Sequence, residues 1–161
     1  MPFLNSLDIG FSALSAERLR MDVISQNIAN QDSYNTADGD PYCRQLTQFQ
    51  TKITFRDAMN RYIAETESVH KRGVYYRKDR RNFTYAGVRV AAVQDDDAPF
   101  VPVYDPDNPL ADEDGYIYQT NVDNTKEQID LLAAQRSYEA NASAIQVVKS
   151  MLSKAQELNG K

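Results

Sequence analysis

The segment Asp105–Gly115 has the composition of a calcium site, because it contains four aspartates, one glutamate and one asparagine. Carboxylate and amide oxygens are the ligands that Ca²⁺ prefers. In an EF-hand loop, ligands at positions one, three and five are followed directly by glycine, and that spacing would put the aliphatic Leu110 at a ligand position. Aspartate, asparagine and proline also populate tight turns. The segment therefore predicts a solvated turn rather than a metal site.

The segment His70–Arg81, which we call the basic tract, has the composition of a polyanion-binding site. It contains six lysines or arginines, one acidic residue and two tyrosines, and tyrosines can stack on bases while arginines contact phosphates. The whole chain has a net charge of −5 and a pI near 4.9, which opposes nucleic-acid binding. We therefore expect a solvated surface or an electrostatic contact between subunits, with no nucleic-acid partner. A nucleic-acid or polyanion binder is the weaker alternative.

Catalytic machinery is not indicated by the sequence. Cys43 is the single cysteine and His70 the single histidine, so no intramolecular disulfide can form and His70 is a poor activating base for the thiol. The sequence contains no glycine-rich phosphate loop, metal-ligand spacing or nucleophile motif. We expect a protein that is not an enzyme and has no catalytic residue, metal or cofactor.

The C-terminal segment Asn124–Leu158 is predicted to form one long amphipathic helix, because apolar residues recur at alternating spacings of three and four. Asn124 and Glu127 resemble a capping box at its start. Such a helix spans about 52 Å and cannot bury its apolar stripe alone. The stripe consists of Leu131, Ala134, Tyr138, Asn141, Ile145, Val148, Leu152 and Ala155, widened on one flank by Ala144, Met151 and Leu158.

The N-terminal segment is the natural partner of that helix. Asn5 or Ser6 can cap a helix that runs to about Asn30. Asn27 and Asn30 lie three residues apart on one face of it, where they either end the helix or contact a neighbouring chain. Its stripe consists of Leu7, Leu14, Met21 and Ile28, with Leu4 and Phe11 interleaved.

The middle of the chain is predicted to be rich in short strands. Pro102 restricts its own strand to a sheet edge, and Val88, Val90 and Ala92 alternate with more polar or smaller neighbours, as in a half-buried antiparallel strand. A short helix is predicted from Phe55 to about His70. The predicted extended segments are Tyr42–Phe55, Gly73–Arg77, Phe83–Tyr85, Gly87–Gln94, Phe100–Tyr104 and Tyr116–Tyr118.

Membrane insertion and secretion by the general route are both opposed by the sequence. No apolar run approaches the roughly 18 residues that span a bilayer, so we do not expect an integral membrane protein. Asp8 interrupts the apolar start, and the first basic residue is Arg18, so the charged beginning of a cleavable signal peptide is missing.

Several segments in a fixed order are similar to those of a known family. They are Ser12–Ala16, Ser25–Asn30, Asp38–Tyr42, Tyr104–Asp112 with Gly115–Tyr116, Asn121–Asp123 and Arg136–Asn141. In these segments the chain resembles flagellar basal-body rod proteins, most closely the FlgC type of the proximal rod. The resemblance covers roughly residues 3–50 and 86–158, whereas the stretch 52–85 is longer than typical members carry.

The resemblance implies a structural subunit of the axial drive shaft that transmits torque. It implies an α+β fold in which long terminal helices, at 1–31 and 121–161, pack as a coiled-coil-like inner domain. The central region 32–120 would form a small β-rich outer part with an insert at about 52–85. The resemblance also implies export by the flagellar type III system without a cleavable signal peptide, and assembly in the periplasmic part of the basal body.

The implied partners are other rod proteins, copies of the same chain, and the base of the rod at the membrane ring and export apparatus. In the free subunit we expect the terminal helices to fluctuate and to fold on assembly. The alternative is a soluble helical adaptor or secretion chaperone that binds one client through the same stripes. The predicted assembly interface consists of Leu7, Phe11, Leu14, Met21, Asn27, Ile28, Asn30, Leu131, Arg136, Tyr138, Asn141, Ile145, Val148 and Leu152.

Overall fold

In its described residues the chain forms two long helices and two pairs of antiparallel strands, which we call hairpins, and this confirms the predicted α+β class. The structure, a computed structural model, describes residues 2–34, 41–53, 59, 85–112 and 114–159. The elements in chain order are α1 (Pro2–Ala29), β1 (Gln45–Ile53), β2 (Tyr85–Asp95), β3 (Val101–Tyr104), β4 (Tyr116–Gln119) and α2 (Asn124–Asn159).

The ends of both helices differ in detail from the prediction. Helix α1 begins at Pro2 rather than after a cap at Asn5 or Ser6, because proline is tolerated in the first turn, where backbone N–H groups have no helical partner. Helix α2 begins at Asn124 as predicted, but its cap is Asp123, whose Oδ1 accepts hydrogen bonds from the N–H groups of Thr125 at 2.9 Å and Lys126 at 3.4 Å. The predicted capping box is therefore wrong.

The two helices pack antiparallel. A Cβ atom added to Gly10 would lie 2.6 Å from Cγ1 of Ile145, and Asn27 hydrogen-bonds Glu127 at the other end of the pair. From Gly10 to Asn27 and from Glu127 to Ile145 the helices cover nearly equal lengths, about 26 Å at 1.5 Å per residue. In this register the last turn of α2 extends past the N-terminal end of α1 and does not pack against it.

Hairpin β1–β2 packs on α1 through one face of β2. Val88, Val90 and Ala92 are half-buried while Arg89 and Ala91 are exposed, so the predicted alternation is confirmed. The register shifts between Gln48 and Phe49, which is a β-bulge of the kind that increases strand twist.

Hairpin β3–β4 is joined by the turn-rich segment 105–115. Asp105 N–H donates to the Gly115 carbonyl at 3.0 Å, and Asp112 N–H donates to the Tyr116 carbonyl at 2.9 Å. Gly115 has a φ of 80°, a conformation that glycine adopts without steric cost. The predicted turn in the acidic segment is confirmed.

Part of the prediction lies outside the described residues. This applies to most of the helix predicted from Phe55 to about His70, to the strand Gly73–Arg77, to the first two residues of the strand Phe83–Tyr85, and to the basic tract.

Gly87→Ala is expected to lower the free energy of unfolding by about 2–4 kcal/mol. Gly87 has a φ of 108°, which strains any residue with a side chain. In addition, a Cβ atom at this position would clash with Ser12 Oγ on α1, from which it would lie 2.0 Å away. The Ser12 hydroxyl also accepts a hydrogen bond from Val88 N–H at 3.1 Å. Moving Ser12 away to remove the clash would therefore break this hydrogen bond between α1 and the hairpin β1–β2. Urea unfolding followed by circular dichroism measures the change.

Gly115→Ala is the matched control. Its φ is also positive, but the nearest atom to an added Cβ is 3.1 Å away, at the edge of the Tyr104 ring. The backbone cost is therefore shared by both variants, and the clash with α1 belongs to Gly87 alone. Equal losses in the two variants would show that the close approach to Ser12 contributes nothing.

Candidate functional site

Asn27, near the C-terminal end of α1, joins three parts of the chain with one buried amide. It is 1% exposed. Its Nδ2 donates to the Gln45 carbonyl at 2.9 Å and to Glu127 Oε2 at 3.0 Å, while its Oδ1 accepts from the Tyr42 hydroxyl at 2.9 Å and from Gln45 N–H at 3.0 Å. Gln45 is in register with Asp95 of β2. Because the amide pairs with both backbone groups of Gln45, it takes the place of a strand on the other edge of β1.

Glu127, in the first turn of α2, is a fully buried carboxylate with an exposure of 0%. Its Oε1 accepts a hydrogen bond from Arg44 Nε at 2.7 Å, and its Oε2 accepts the bond from Asn27. A buried charge is tolerated only when it is paired and hydrogen-bonded. The carboxylate therefore depends on both partners, which come from the other helix and from the segment before β1.

Arg44 extends the cluster toward the surface. Its two terminal nitrogens contact Asp96 Oδ2 at 3.2 Å and Asp130 Oδ2 at 3.4 Å. Its backbone N–H donates to Asn121 Oδ1 at 2.7 Å, and Asn121 Nδ2 donates to the Ala98 carbonyl at 2.9 Å. We call the set Asn27, Tyr42, Arg44, Asp96, Asn121, Glu127 and Asp130 the polar junction.

Two pKa values reflect this environment. Burial raises the pKa of the Tyr42 hydroxyl, and the charges of Asp95, Cys43 and Glu127 raise it further. Burial alone would lower the pKa of Arg44, but its hydrogen bonds to Glu127 and Asp96, with the charges of both, outweigh burial and raise it. Tyr42 thus stays a neutral hydrogen-bond donor and Arg44 a cation, as the polar junction requires.

The polar junction is arranged to hold segments together rather than to react. In its two buried polar residues, Asn27 and Glu127, every side-chain nitrogen and oxygen forms a hydrogen bond with another residue of the chain. Cys43, beside it, donates from Sγ to the Asp96 carbonyl at 3.3 Å. Within the described parts of the chain, no three histidine, cysteine or acidic side chains are grouped so that they could hold a metal ion.

A second feature is the outer face of α2, which points away from α1. Its apolar side chains are between 50% and 76% exposed, and they recur at helical spacing on the side opposite Ala134 and Ile145. Ala144, Met151 and Leu158, which were predicted to widen the apolar stripe, are exposed, and so is Ala155 at its end. These four residues therefore do not pack against α1 as part of the stripe. The outer face consists of Ile129, Leu132, Val147, Met151 and Leu158.

The residues predicted to form the assembly interface are found in three environments. Phe11 and Arg136 are exposed, and Asn27 is buried in the polar junction. Asn30 is half-buried and donates from Nδ2 to the Gln26 carbonyl at 2.8 Å, which ends the helix. The others are half-buried, namely Leu7, Leu14, Met21, Ile28, Leu131, Tyr138, Asn141, Ile145, Val148 and Leu152.

A single chain does not test whether these residues touch neighbouring subunits, and their interface role stays a prediction. For Asn27 the structure adds a role inside the chain. Arg44, Asn121 and the buried role of Glu127 were not predicted. Their contacts join positions 77 to 100 residues apart, and no local spacing reports such contacts.

Comparison with known proteins places this chain in a family. The family model described as Flagella basal body rod protein matches residues 7–34, and the model described as Flagellar basal body rod FlgEFG protein C-terminal matches residues 113–158. A flagellar basal-body rod protein FlgC of Bacillus subtilis (strain 168) is 36% identical over 163 residues, covering 98% of this chain and 99% of that protein. The chain belongs to the FlgC type of flagellar basal-body rod proteins.

Other members of the family match over a similar extent. The FlgC protein of Salmonella typhimurium is 36% identical over 154 residues, and that of Borreliella burgdorferi is 35% identical over 159 residues, each covering 96% of both chains. The FlgC family consists of structural proteins, which agrees with the expectation that this chain is not an enzyme. Among the described residues, no helix is long and apolar enough to cross a membrane.

Proposed function

We propose that this FlgC-type chain is a structural subunit of the flagellar basal-body rod and transmits torque as part of its axial drive shaft. The near-full-length similarity to FlgC rod proteins supports a structural rod subunit, and nothing in it favours the adaptor or chaperone alternative. The observation that carries the mechanism is the outer face of α2. Monomeric proteins rarely leave contiguous apolar surfaces exposed. Val147, Met151 and Leu158 place three exposed apolar side chains along the C-terminal part of this face, so a subunit with this face is suited to packing against neighbours.

The packing of subunits would use both helices. In this proposal the half-buried stripe residues close the pair α1–α2 as a coiled-coil-like inner domain, at 1–31 and 121–161, and the region 32–120 forms the outer part. The outer face of α2, with Phe11 and Arg136, would contact neighbouring subunits. A heterologous contact that repeats without closing builds a helical assembly, which is the geometry of a shaft.

The polar junction gives this shaft a rigid connection between its inner and outer parts. Torque applied to the helices reaches hairpin β1–β2 through Asn27, Glu127 and Arg44, which are held by several charge-assisted hydrogen bonds of 2.7–3.4 Å. Such bonds are directional and about twice as strong as neutral ones. Sliding of one element past another would break them together.

The location and the partners follow from the same proposal. We expect export by the flagellar type III system without cleavage of a signal peptide, and assembly in the periplasmic rod. Contacts are expected with other rod proteins, with copies of this chain, and with the base of the rod at the membrane ring and export apparatus. Helices whose stripes are completed only by neighbours suit passage through a narrow export channel.

Val147→Asp combined with Met151→Asp is expected to abolish motility while leaving the isolated subunit folded. An unpaired carboxylate buried between subunits costs several kcal/mol, whereas at an exposed position of the free chain the change is within about 0.5 kcal/mol. The variant is expressed in source cells lacking the native copy. Swimming in soft agar and the amount of chain in purified basal bodies are measured, with urea unfolding of the free subunit.

Gln135→Asp combined with Gln146→Asp is the matched control, since both residues are exposed and polar on another side of α2. It adds the same charge and should keep motility. Normal swimming of the Val147 and Met151 variant would place the outer face outside every subunit contact. A wild-type chain that stays in the cytoplasm bound to one client would support the chaperone alternative instead.

A further inference from the structure

Hairpin β3–β4 carries an exposed aromatic surface. Partners in an antiparallel pair point to the same side, so the pairs Tyr104–Tyr116 and Pro102–Tyr118 form one surface, which we call the tyrosine face. Tyr104, Tyr116 and Tyr118 are 65%, 42% and 46% exposed. The rings of Tyr104 and Tyr116 meet edge to face, with centroids 5.3 Å apart. The other side of the hairpin carries Val101, Val103, Ile117 and Gln119, of which Ile117 is buried, so the aromatic rings lie on the tyrosine face.

The stretch of sequence that contains the tyrosine face is acidic. Between Arg89 and Lys126 the sequence has no lysine, arginine or histidine. In the part of the chain that the structure describes, the salt bridges involve other acids, not those of the turn beside the tyrosine face. The acidic residues in this stretch are Asp95, Asp96, Asp97, Asp105, Asp107, Asp112, Glu113, Asp114 and Asp123.

The same chain also carries the complementary charge. The basic tract, with six lysines or arginines against one acidic residue, is the strongest concentration of positive charge in a chain whose net charge is −5. Arginine and lysine are attracted to the faces of aromatic rings, and the attraction adds to pairing with nearby carboxylates. A ring surface rimmed by aspartates is therefore suited to a cationic segment.

We propose that the tyrosine face of one subunit binds the basic tract of a second copy of this chain. The inference rests on the proposed rod function, because a surface and its complement on the same chain form the head-to-tail contact from which a helical assembly grows. The tyrosine face offers the rings of Tyr104, Tyr116 and Tyr118 to the cations of the second copy, and Asp107, Asp112 and Asp114 beside it supply the opposite charge. Complementary charge also selects this orientation over others.

Disulfide trapping between two distinguishable copies tests the contact. One tagged copy carries Asp112→Cys and the other carries Lys78→Cys, both with Cys43→Ser, and they are expressed together in cells lacking the native copy. Basal bodies are purified and oxidised, and the crosslinked heterodimer is detected through both tags. Because each copy has one cysteine, this product requires contact between two chains.

Val101→Cys replaces Asp112→Cys in the matched control. Val101 is 49% exposed but lies on the opposite side of the same hairpin, paired with Gln119. We expect at least about fivefold more heterodimer from Asp112→Cys than from this control, since a disulfide requires Cα atoms within roughly 7 Å. Adding Tyr104→Ser and Tyr118→Ser to the Asp112→Cys copy should lower the yield to the control level.

The outcomes separate the contact from the proposed function. The proposed rod function is refuted if the wild-type chain is absent from purified basal bodies. If the chain is present but Asp112→Cys gives no more heterodimer than Val101→Cys, the contact between copies is refuted. Both cysteines can also be placed in a single chain. If that chain forms only an internal disulfide, the basic tract binds the tyrosine face of its own chain. If a crosslink forms to a different rod protein, that protein is the occupant of the tyrosine face. Either result overturns the proposal.

Discussion

Arg44→Met is expected to lower the free energy of unfolding by about 3–5 kcal/mol, because it leaves the buried carboxylate of Glu127 without its cationic partner. Arg44 Nε lies 2.7 Å from Glu127 Oε1, and the same side chain contacts Asp96 and Asp130. Methionine keeps much of the aliphatic volume and removes every one of these contacts. Urea unfolding of the purified chain, followed by circular dichroism, measures the loss.

Arg89→Met is the matched control for that variant. Arg89 is an exposed arginine on β2 whose guanidinium hydrogen-bonds Gln50 at 2.9 and 3.3 Å, so its replacement should change stability by no more than about 0.5 kcal/mol. The double variant Arg44→Met with Glu127→Leu should lose about 1–3 kcal/mol less than the sum of the single losses, since it removes the buried carboxylate together with its cation. Strictly additive losses would contradict a direct dependence of Glu127 on Arg44.

The long helices were the most predictable part of the fold. In Asn124–Leu158 the helical repeat persists over many turns, and the observed α2 ends one residue later. The strands were predicted from β-forming residues bounded by proline, glycine and aspartate. They agree with β1, β2, β3 and β4 to within a few residues, except that Phe83–Tyr85 and Gly87–Gln94 belong to one strand, β2. Local turn chemistry sets the pairing of β3 with β4, whereas β1 pairs with β2 across the segment 54–84.

The orientation of α2 could not be predicted, because the helix has two apolar faces. Met151 and Leu158 recur at the same helical period as Ile145 and Leu152, but the first pair is exposed and the second half-buried. The repeat indicates that a face is apolar and does not indicate which partner covers it. In the proposed assembly one face packs inside the chain and the other packs on neighbours, and such a helix needs two apolar faces.

The polar junction was unpredictable for a different reason. Asn27 and Glu127 each have a common local role, as a helix-ending residue and as a capping residue. The sequence predicted the capping role for Glu127, and for Asn27 it left helix ending and contact with a neighbouring chain as alternatives. In the structure Asp123 takes the cap, and Glu127 turns inward to meet Asn27, from which it is 100 residues distant in sequence. Specificity at this site arises from tertiary contacts that no single-sequence pattern contains.

The polar junction also divides the helix pair into a fastened end and an open end. Asn27, Glu127 and the hairpin contacts of Gln45 lie together at one end. At the other end the register leaves the last turn of α2 without α1, and Leu158 is 76% exposed. Local opening is easiest where buried contacts are few. In the free subunit the two ends should therefore differ in stability, although both belong to the same two helices.

Hydrogen exchange of dilute, verified monomer should show this division as a gradient along both helices. Amides in residues 5–9 and 150–158 are expected to exchange at least about 100-fold faster than those in residues 23–29 and 127–134, because a difference of about 2.7 kcal/mol in opening free energy has that effect. In purified rods the fast amides should become slow, since neighbouring subunits cover the outer face of α2. Arg44→Met should remove the gradient in the monomer by releasing the fastened end. Strong, uniform protection of both helices in the wild-type monomer would refute folding coupled to assembly and favour a self-contained helical hairpin, whereas uniformly fast exchange would show that the polar junction forms only when the subunit enters the rod.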